Sequence, residues 1–142
     1  GRGDFSKCPG GIPGVETRLP LIFSDGVLSK RLSLNRFVEV GSTAPAKRMG
    51  LYPRKGTLTP GADADIIVFD PNREKTVTPD HLYHKPDDSP YEGCQVRGRP
   101  TLTMERGRFE MQQNRVTVKK GWGQYIDRRQ SDRIGGEQEV SS

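Results

Sequence analysis

Gly56-Thr-Leu-Thr-Pro-Gly61-Ala-Asp-Ala-Asp65-Ile-Ile-Val-Phe-Asp70 is the stretch that decides how the rest of the chain is read. Pro60-Gly61 favours a tight turn, with Gly61 free to take positive φ. Ile66, Ile67, Val68 and Phe69 then form an unbroken apolar run rich in β-branched residues. Closed by Asp70-Pro71-Asn72, that run predicts a buried strand. Asp65 stands at the entrance, where its carboxylate is expected to cap backbone donors of the turn.

Downstream the pattern remains one of short strands. Thr57–Leu58, Ala64–Phe69, Lys75–Val77, Val96–Arg97, Thr101–Arg106, Arg108–Met111 and Arg115–Val118 are the candidates. Glu105-Arg-Gly-Arg108 reads as a turn between antiparallel strands, with Gly107 left-handed. Residues 79–95 form a long connection with prolines at 79, 86 and 90. Upstream of Gly50 the spacing is helical. Val15, Leu19, Ile22 and Phe23 predict a helix within 15–29, with Pro20 as a kink and Gly26 weakening its last turn. Ser33 is the expected N-cap of a helix through Val40 with Leu34, Phe37 and Val38 on one face. A third helix fits Ala44–Met49, with Pro45 in its first turn and Gly50 ending it. Residues 1–14 are a glycine- and proline-rich loop, and the polar stretch from Ser131 is too poor in apolar groups to order itself.

At 142 residues, 31% of them hydrophobic, with 17 Gly and 11 Pro, the chain is short of material for an independent core. The net charge of +5 is spread among 18 acids without an aromatic-interleaved basic stripe, so nucleic acid is not an expected partner. No apolar run approaches the ~20 residues that span a bilayer, so no membrane contact is expected. Cys8 and Cys94 form neither a CxxC pair nor a disulfide framework, and a cytoplasmic location is the default expectation. Arg2-Gly3-Asp4 spells an adhesion tripeptide, but three residues are too few to carry function and the structural reading is preferred.

The Gly-x-Leu-x-x-Gly-x-x-Ala-Asp-Ile-x-Val-hydrophobe-Asp pattern of residues 56–70 resembles the return strand of amidohydrolase-superfamily enzymes, where the chain leaves a catalytic barrel and re-enters a small β-sandwich. The flanks narrow the match. Gly11-Ile-Pro-Gly-Val-Glu-Thr-Arg-Leu-Pro-Leu-Ile-Phe-Ser-Asp-Gly26, Ser33-Leu-Asn-Arg-Phe-Val38, Gly50-Leu-Tyr-Pro-Arg-Lys-Gly56 and Pro90-Tyr-Glu-Gly93 are similar to dihydropyrimidinases and bacterial D-hydantoinases. The likeness covers about residues 1–130. It implies an α+β fragment of a longer polypeptide. Residues 1–52 would be the end of a (β/α)8 barrel, 53–120 the C-terminal part of a β-sandwich, and 121–142 a partly disordered tail.

The resemblance also implies hydrolysis of a cyclic amide, in dihydropyrimidines or hydantoins, at a centre of two zinc ions held by histidines, a carbamylated lysine and an aspartate. None of these ligands is assigned in this chain, and no catalytic residue either. His81 and His84 have a His-x-x-His spacing, but Pro79-Asp80 and Lys85-Pro86-Asp87-Asp88 around them read as exposed loop, so surface histidines are expected. One position carries over: Gly10, where the family more often has asparagine and where backbone groups bind the ring amide of the substrate. Glu16 and Arg18 are expected to be a paired or solvated surface. Trp122 and Tyr125 need a surface to lie on. The family points to an oligomer contact, in a dimer or tetramer, and packing on the same chain is the other reading. The alternative to an enzyme is a non-catalytic relative of the collapsin response mediator type, an interaction scaffold with the same fold. A stand-alone binding module is disfavoured, because the other half of the sandwich is not encoded here.

Overall fold

The computed structural model describes residues 11, 14–83, 89–112, 115–118 and 120–128. Gly10, Cys8, His84 and the polar end from Ser131 lie outside the described residues. Helices come first and strands follow, as the change of period at Gly50 predicts.

The first helix, α1, spans Arg18–Ile22 and widens into a π-helical turn over Phe23–Leu28. Pro20 is expected from the sequence to kink the helix; its place relative to the helix start lowers the cost. The helix begins at Arg18, so Pro20 sits in the first turn, where a missing N–H costs no intrahelical bond. The segment ends with Lys30 at φ 61°, its N–H on the Val27 carbonyl at 3.0 Å and the Arg31 N–H on the Gly26 carbonyl at 2.9 Å. That is a Schellman closure with a lysine where glycine is favoured. Lys30→Gly is therefore expected to stabilise the chain by about 1 kcal/mol, seen as a higher thermal midpoint.

Helix α2 (Leu34–Val38) begins directly after Ser33, and α3 (Ala44–Arg48) has its proline at the predicted place. The expected break between them is absent. Residues Glu39–Thr43 continue as a wider π-helical turn, so Gly41, Ser42 and Thr43 loosen the helix without ending it. Gly50, at φ 68°, closes α3 with a second Schellman pair, Gly50 N–H to Lys47 O at 3.1 Å and Leu51 N–H to Ala46 O at 2.8 Å.

Four strands form one sheet in the order β1-β2-β3-β4, with β1 Ile66–Thr76, β2 Gln95–Glu105, β3 Arg108–Gln112 and β4 Arg115–Val116. Several boundaries differ from the sequence reading. Thr57–Leu58 is not a strand. Asp70-Pro71-Asn72 does not close β1. Asn72 donates its N–H to its neighbour Asp70 Oδ1 at 2.9 Å, and a proline without a donor is tolerated because β1 is an edge. Ala64–Phe69 and Lys75–Val77 thus become one strand, as do Val96–Arg97 and Thr101–Arg106 across Gly98. Nor is β1 buried: Ile67 and Val68 are about half exposed. The β2–β3 turn is as predicted and more fully specified, with Arg106 at φ 47° and Gly107 at φ 78°, the two left-handed positions of a type I′ hairpin. Gly61 takes the predicted positive φ, at 92°.

The chain divides into two compact units. One comprises the described residues within Gly1–Ser33 and Phe69–Pro100, the other those within Leu34–Val68 and Thr101–Ser142. The first buries Pro20, Phe23, Val77, Leu82 and Val96. Phe23 and Phe69 pack at a centroid distance of 5.0 Å, tilted by 57°. The long connection 79–95 is tied at its base, where Val77 and Cys94, then Gly93 and Val77, exchange backbone bonds of 2.9 Å. In the second unit Phe37 and Ala46 are buried, while Leu34, Val38, Leu58, Phe109 and Val116 remain exposed.

Candidate functional site

The densest set of polar contacts in the second unit gathers around Lys55. A three-residue turn, in which Asp65 N–H donates to Asp63 O at 2.8 Å, brings two carboxylates onto one ammonium. Lys55 Nζ stands 3.0 Å from Asp63 Oδ2 and hydrogen-bonds Asp65 Oδ2. Arg54 Nε adds a second contact to Asp63 Oδ2 at 3.0 Å. Burial pulls the Lys55 ammonium down, but hydrogen bonds and charge from Asp65 and Asp63 outweigh it and hold its pKa above the ordinary lysine value. The hydrogen bond from Lys55 is the main cause that keeps Asp63 below the usual carboxylate range.

Asp65 does cap a backbone donor, but in a different turn from the expected one. Its Oδ1 accepts the Arg106 N–H at 2.9 Å, while the Gly107 N–H reaches the Ala64 carbonyl at 3.0 Å. The entrance of β1 is thus fastened to the β2–β3 hairpin. The Arg106 guanidinium in turn pairs with Glu105 at 3.2 Å, donates to the Trp122 carbonyl at 2.6 Å and lies 4.6 Å from the centre of the Trp122 ring. Arg108 stacks on the same ring at 4.3 Å. Trp122 accordingly packs on its own chain, whereas Tyr125 is 88% exposed.

A second concavity, in the first unit, is a cleft of ≈ 530 Å³ lined by Ser24, Asp25, Glu74, Lys75, Gln95 and Arg97 among others. Ser24 Oγ holds the β2 backbone, accepting from Arg97 N–H at 2.6 Å and donating to Arg97 O at 2.9 Å. Burial, then the charge of Arg99, lowers the Lys75 pKa against a smaller opposing effect of Glu16. The expected surface role of Glu16 takes a specific form: its Oε2 accepts the Tyr83 N–H at 2.8 Å.

Among the described residues no group of three or more His, Cys, Asp or Glu is placed to hold an ion. The two carboxylates that converge, Asp63 and Asp65, are neutralised by Lys55. His81 ends a short 3-10 turn (Pro79–His81), and its side chain, like His84 and Gly10, lies outside what is described. Cys94 is a half-buried free thiol. No helix among the described residues is long and apolar enough to cross a membrane. The Lys55 cluster escaped the sequence reading, although Asp63 and Asp65, two residues apart and just beyond Arg54-Lys55, were its visible signal.

Residues 18–109 match the amidohydrolase family. The chain is 41% identical over 140 residues to a D-hydantoinase of Geobacillus stearothermophilus, covering 99% of this chain and 30% of that protein. It is 43% identical over 128 residues to a D-phenylhydantoinase of Escherichia coli O1:K1 / APEC, covering 90% of this chain and 28% of that one. The solved L-hydantoinase (dihydropyrimidinase) from Arthrobacter aurescens superposes with a TM-score of 0.81 at 41% identity, over 88% of this chain and 28% of that chain. The chain therefore spans less than a third of the length of the relatives it matches. With the family matched over most of its residues and the backbone superposing on a solved member, this chain belongs to the amidohydrolase family.

Proposed function

We propose that this chain is the C-terminal part of a hydantoinase- or dihydropyrimidinase-type enzyme that hydrolyses the cyclic amide bond of hydantoins or dihydropyrimidines. The observation that carries this reading is 41–43% identity to named hydantoinases across nine-tenths or more of the chain. In this reading residues 1–52 end a (β/α)8 barrel, 53–120 are the C-terminal part of a β-sandwich and 121–142 are a tail. The half-exposed Ile67, Val68, Phe109 and Val116 support it, because strands from elsewhere in the protein would cover them. Two zinc ions are the proposed cofactor of the complete, cytoplasmic enzyme, with every ligand on residues outside this chain. Gly10 binds the substrate ring through its backbone, and Tyr125 offers an aromatic contact to a second subunit. The relatives described above all carry enzyme names, which favours catalysis over the scaffold alternative.

The test has two arms. The 142-residue chain alone is expected to carry no stoichiometric zinc and to leave dihydrouracil and hydantoin unopened. The polypeptide extended to the length of its relatives is expected to open at least one of those rings. About two zinc ions per chain on the short form, by metal analysis, would overturn the assignment of the ligands. A full-length protein that binds metal yet opens neither ring would overturn the activity.

A further inference from the structure

Met49 caps the C-terminal end of α3, and its backbone is fixed there. Its N–H donates to the Pro45 carbonyl at 2.9 Å, and Gly50 turns the chain away directly behind it. The residue is nevertheless 54% exposed. The guanidinium of Arg128 lies against its sulfur, with Nη1 3.9 Å from Sδ. This contact joins residues 79 apart in sequence and falls within the second unit. Beside it Gly50, Leu51, Tyr52 and Arg54 line a small pocket of ≈ 120 Å³ with Ile126 and Asp127. The segment held at Trp122 by Arg106 and Arg108 is thus brought back to the end of α3.

The Met49–Arg128 contact is chemically mismatched. A guanidinium is a permanent cation with five strong donors, whereas a thioether is a weak acceptor. An oxygen on that sulfur would correct the mismatch without moving either partner. A sulfoxide bond of about 1.5 Å, with an angle of about 120° at the oxygen, places that oxygen about 2.9 Å from a nitrogen as distant as Nη1, which is the length of an ordinary N–H···O bond. The sulfoxide oxygen carries partial negative charge, and its donor is ionised, so the bond is of the stronger, charge-assisted kind.

We propose that Met49 is an oxidation site at which a peroxide turns a weak sulfur contact into a hydrogen bond from Arg128, fastening residues 126–128 to the end of α3. With hydrogen peroxide, an Sδ lone pair attacks one oxygen and the O–O bond breaks. The departing hydroxide takes the proton of the transferred oxygen and leaves as water. Sulfur is oxidised by two electrons and the peroxide is reduced by two. Exposure makes the site selective, because the other two methionines, Met104 in β2 and Met111 in β3, are half-buried. Methionine oxidation ordinarily loosens a fold by placing a polar group among apolar ones. Here the new oxygen meets a donor, and the sign is reversed.

Dilute hydrogen peroxide acting on the 142-residue chain is expected to oxidise Met49 ahead of Met104 and Met111, as read by peptide mass spectrometry. Trypsin then reports the bond, since it must draw a released arginine into its own pocket. Initial cleavage after Arg128, relative to cleavage after Lys120 on the same segment, is expected to slow about threefold on oxidation. Met49→Leu has no sulfur at this place and is expected to show no slowing. Met49→Gln sets an amide carbonyl where the sulfoxide would be. It is expected to slow the cleavage without peroxide, and it stands in if the leucine variant does not fold. A ratio that is unchanged or faster after oxidation of Met49 would overturn the proposal. So would slowing that persists in Met49→Leu, or oxidation of Met104 or Met111 before Met49. No readout involves a cyclic amide or a metal, so this site and the proposed function can fail independently.

Discussion

Replacing Gly98 by alanine is expected to destabilise the chain by about 2–5 kcal/mol, a large loss for one added methyl group. Gly98 lies buried in the middle of β2 at φ 93°, a backbone state that costs an L-residue about 1–2 kcal/mol. A Cβ there would stand 2.5 Å from Phe23 Cδ1 and 2.6 Å from Phe69 Cε1. These two rings already pack against each other at 5.0 Å, so neither can retreat without losing contact with the other. Overpacking of this kind adds about 1–3 kcal/mol to the backbone cost. Gly107 provides the control. Its φ is 78° but nothing lies within 4 Å of its added Cβ, so Gly107→Ala carries the backbone cost alone. Urea denaturation of the three proteins separates the two contributions. Equal midpoints for Gly98→Ala and Gly107→Ala would show that the aromatic pair does not confine the strand.

Gly98 also marks a limit of what is legible in the sequence. A glycine followed by Arg99-Pro100 ends a strand in any local reading, which splits β2 at that point. The structure keeps the strand because Gly98 is the point where two side chains distant in sequence, Phe23 and Phe69, press onto the backbone, which no short window contains. Elements whose determinants are local are legible: the hairpin at Arg106-Gly107, the closure of α3 at Gly50 and the apolar run opening β1. The expected burial of β1 fails because an apolar run states a need for cover without saying what supplies it, and Ile67 and Val68 remain half exposed. Pro20 marks a different limit. Its effect depends on where the helix starts, and a shift of that boundary to Arg18 turns a breaker into a tolerated first-turn residue. For the candidate site, the motif singles out Asp65 and gives it a capping role. Its partner, the Arg106 N–H, lies 41 residues away and is beyond the reach of spacing.

Asp65→Ala is expected to cost about 2–4 kcal/mol, because one carboxylate serves two groups at once. Its loss leaves the Arg106 N–H without its acceptor and leaves the largely buried Lys55 ammonium with Asp63 alone. Lys55→Met removes the ammonium instead and is expected to be the milder change, since Arg54 still pairs with Asp63. The double variant should be more stable than the sum of the two single losses by about 1–3 kcal/mol, as a directly bonded pair requires. The pH profile tests the same network by another route. Asp63 has a lowered pKa, so its contribution is present above the unfolded carboxylate value and is lost as pH falls through the folded one. Lys55 has a raised pKa, so its contribution is present below the unfolded lysine value and is lost as pH rises through the folded one. The wild-type minus Lys55→Met difference in unfolding free energy is therefore expected to be level from about pH 5 to 10 and to shrink outside that interval. A difference that already falls away near neutrality would mean that Lys55 and Asp63 are not paired in the folded chain, and the hairpin would then owe its position to the Asp65–Arg106 bond alone.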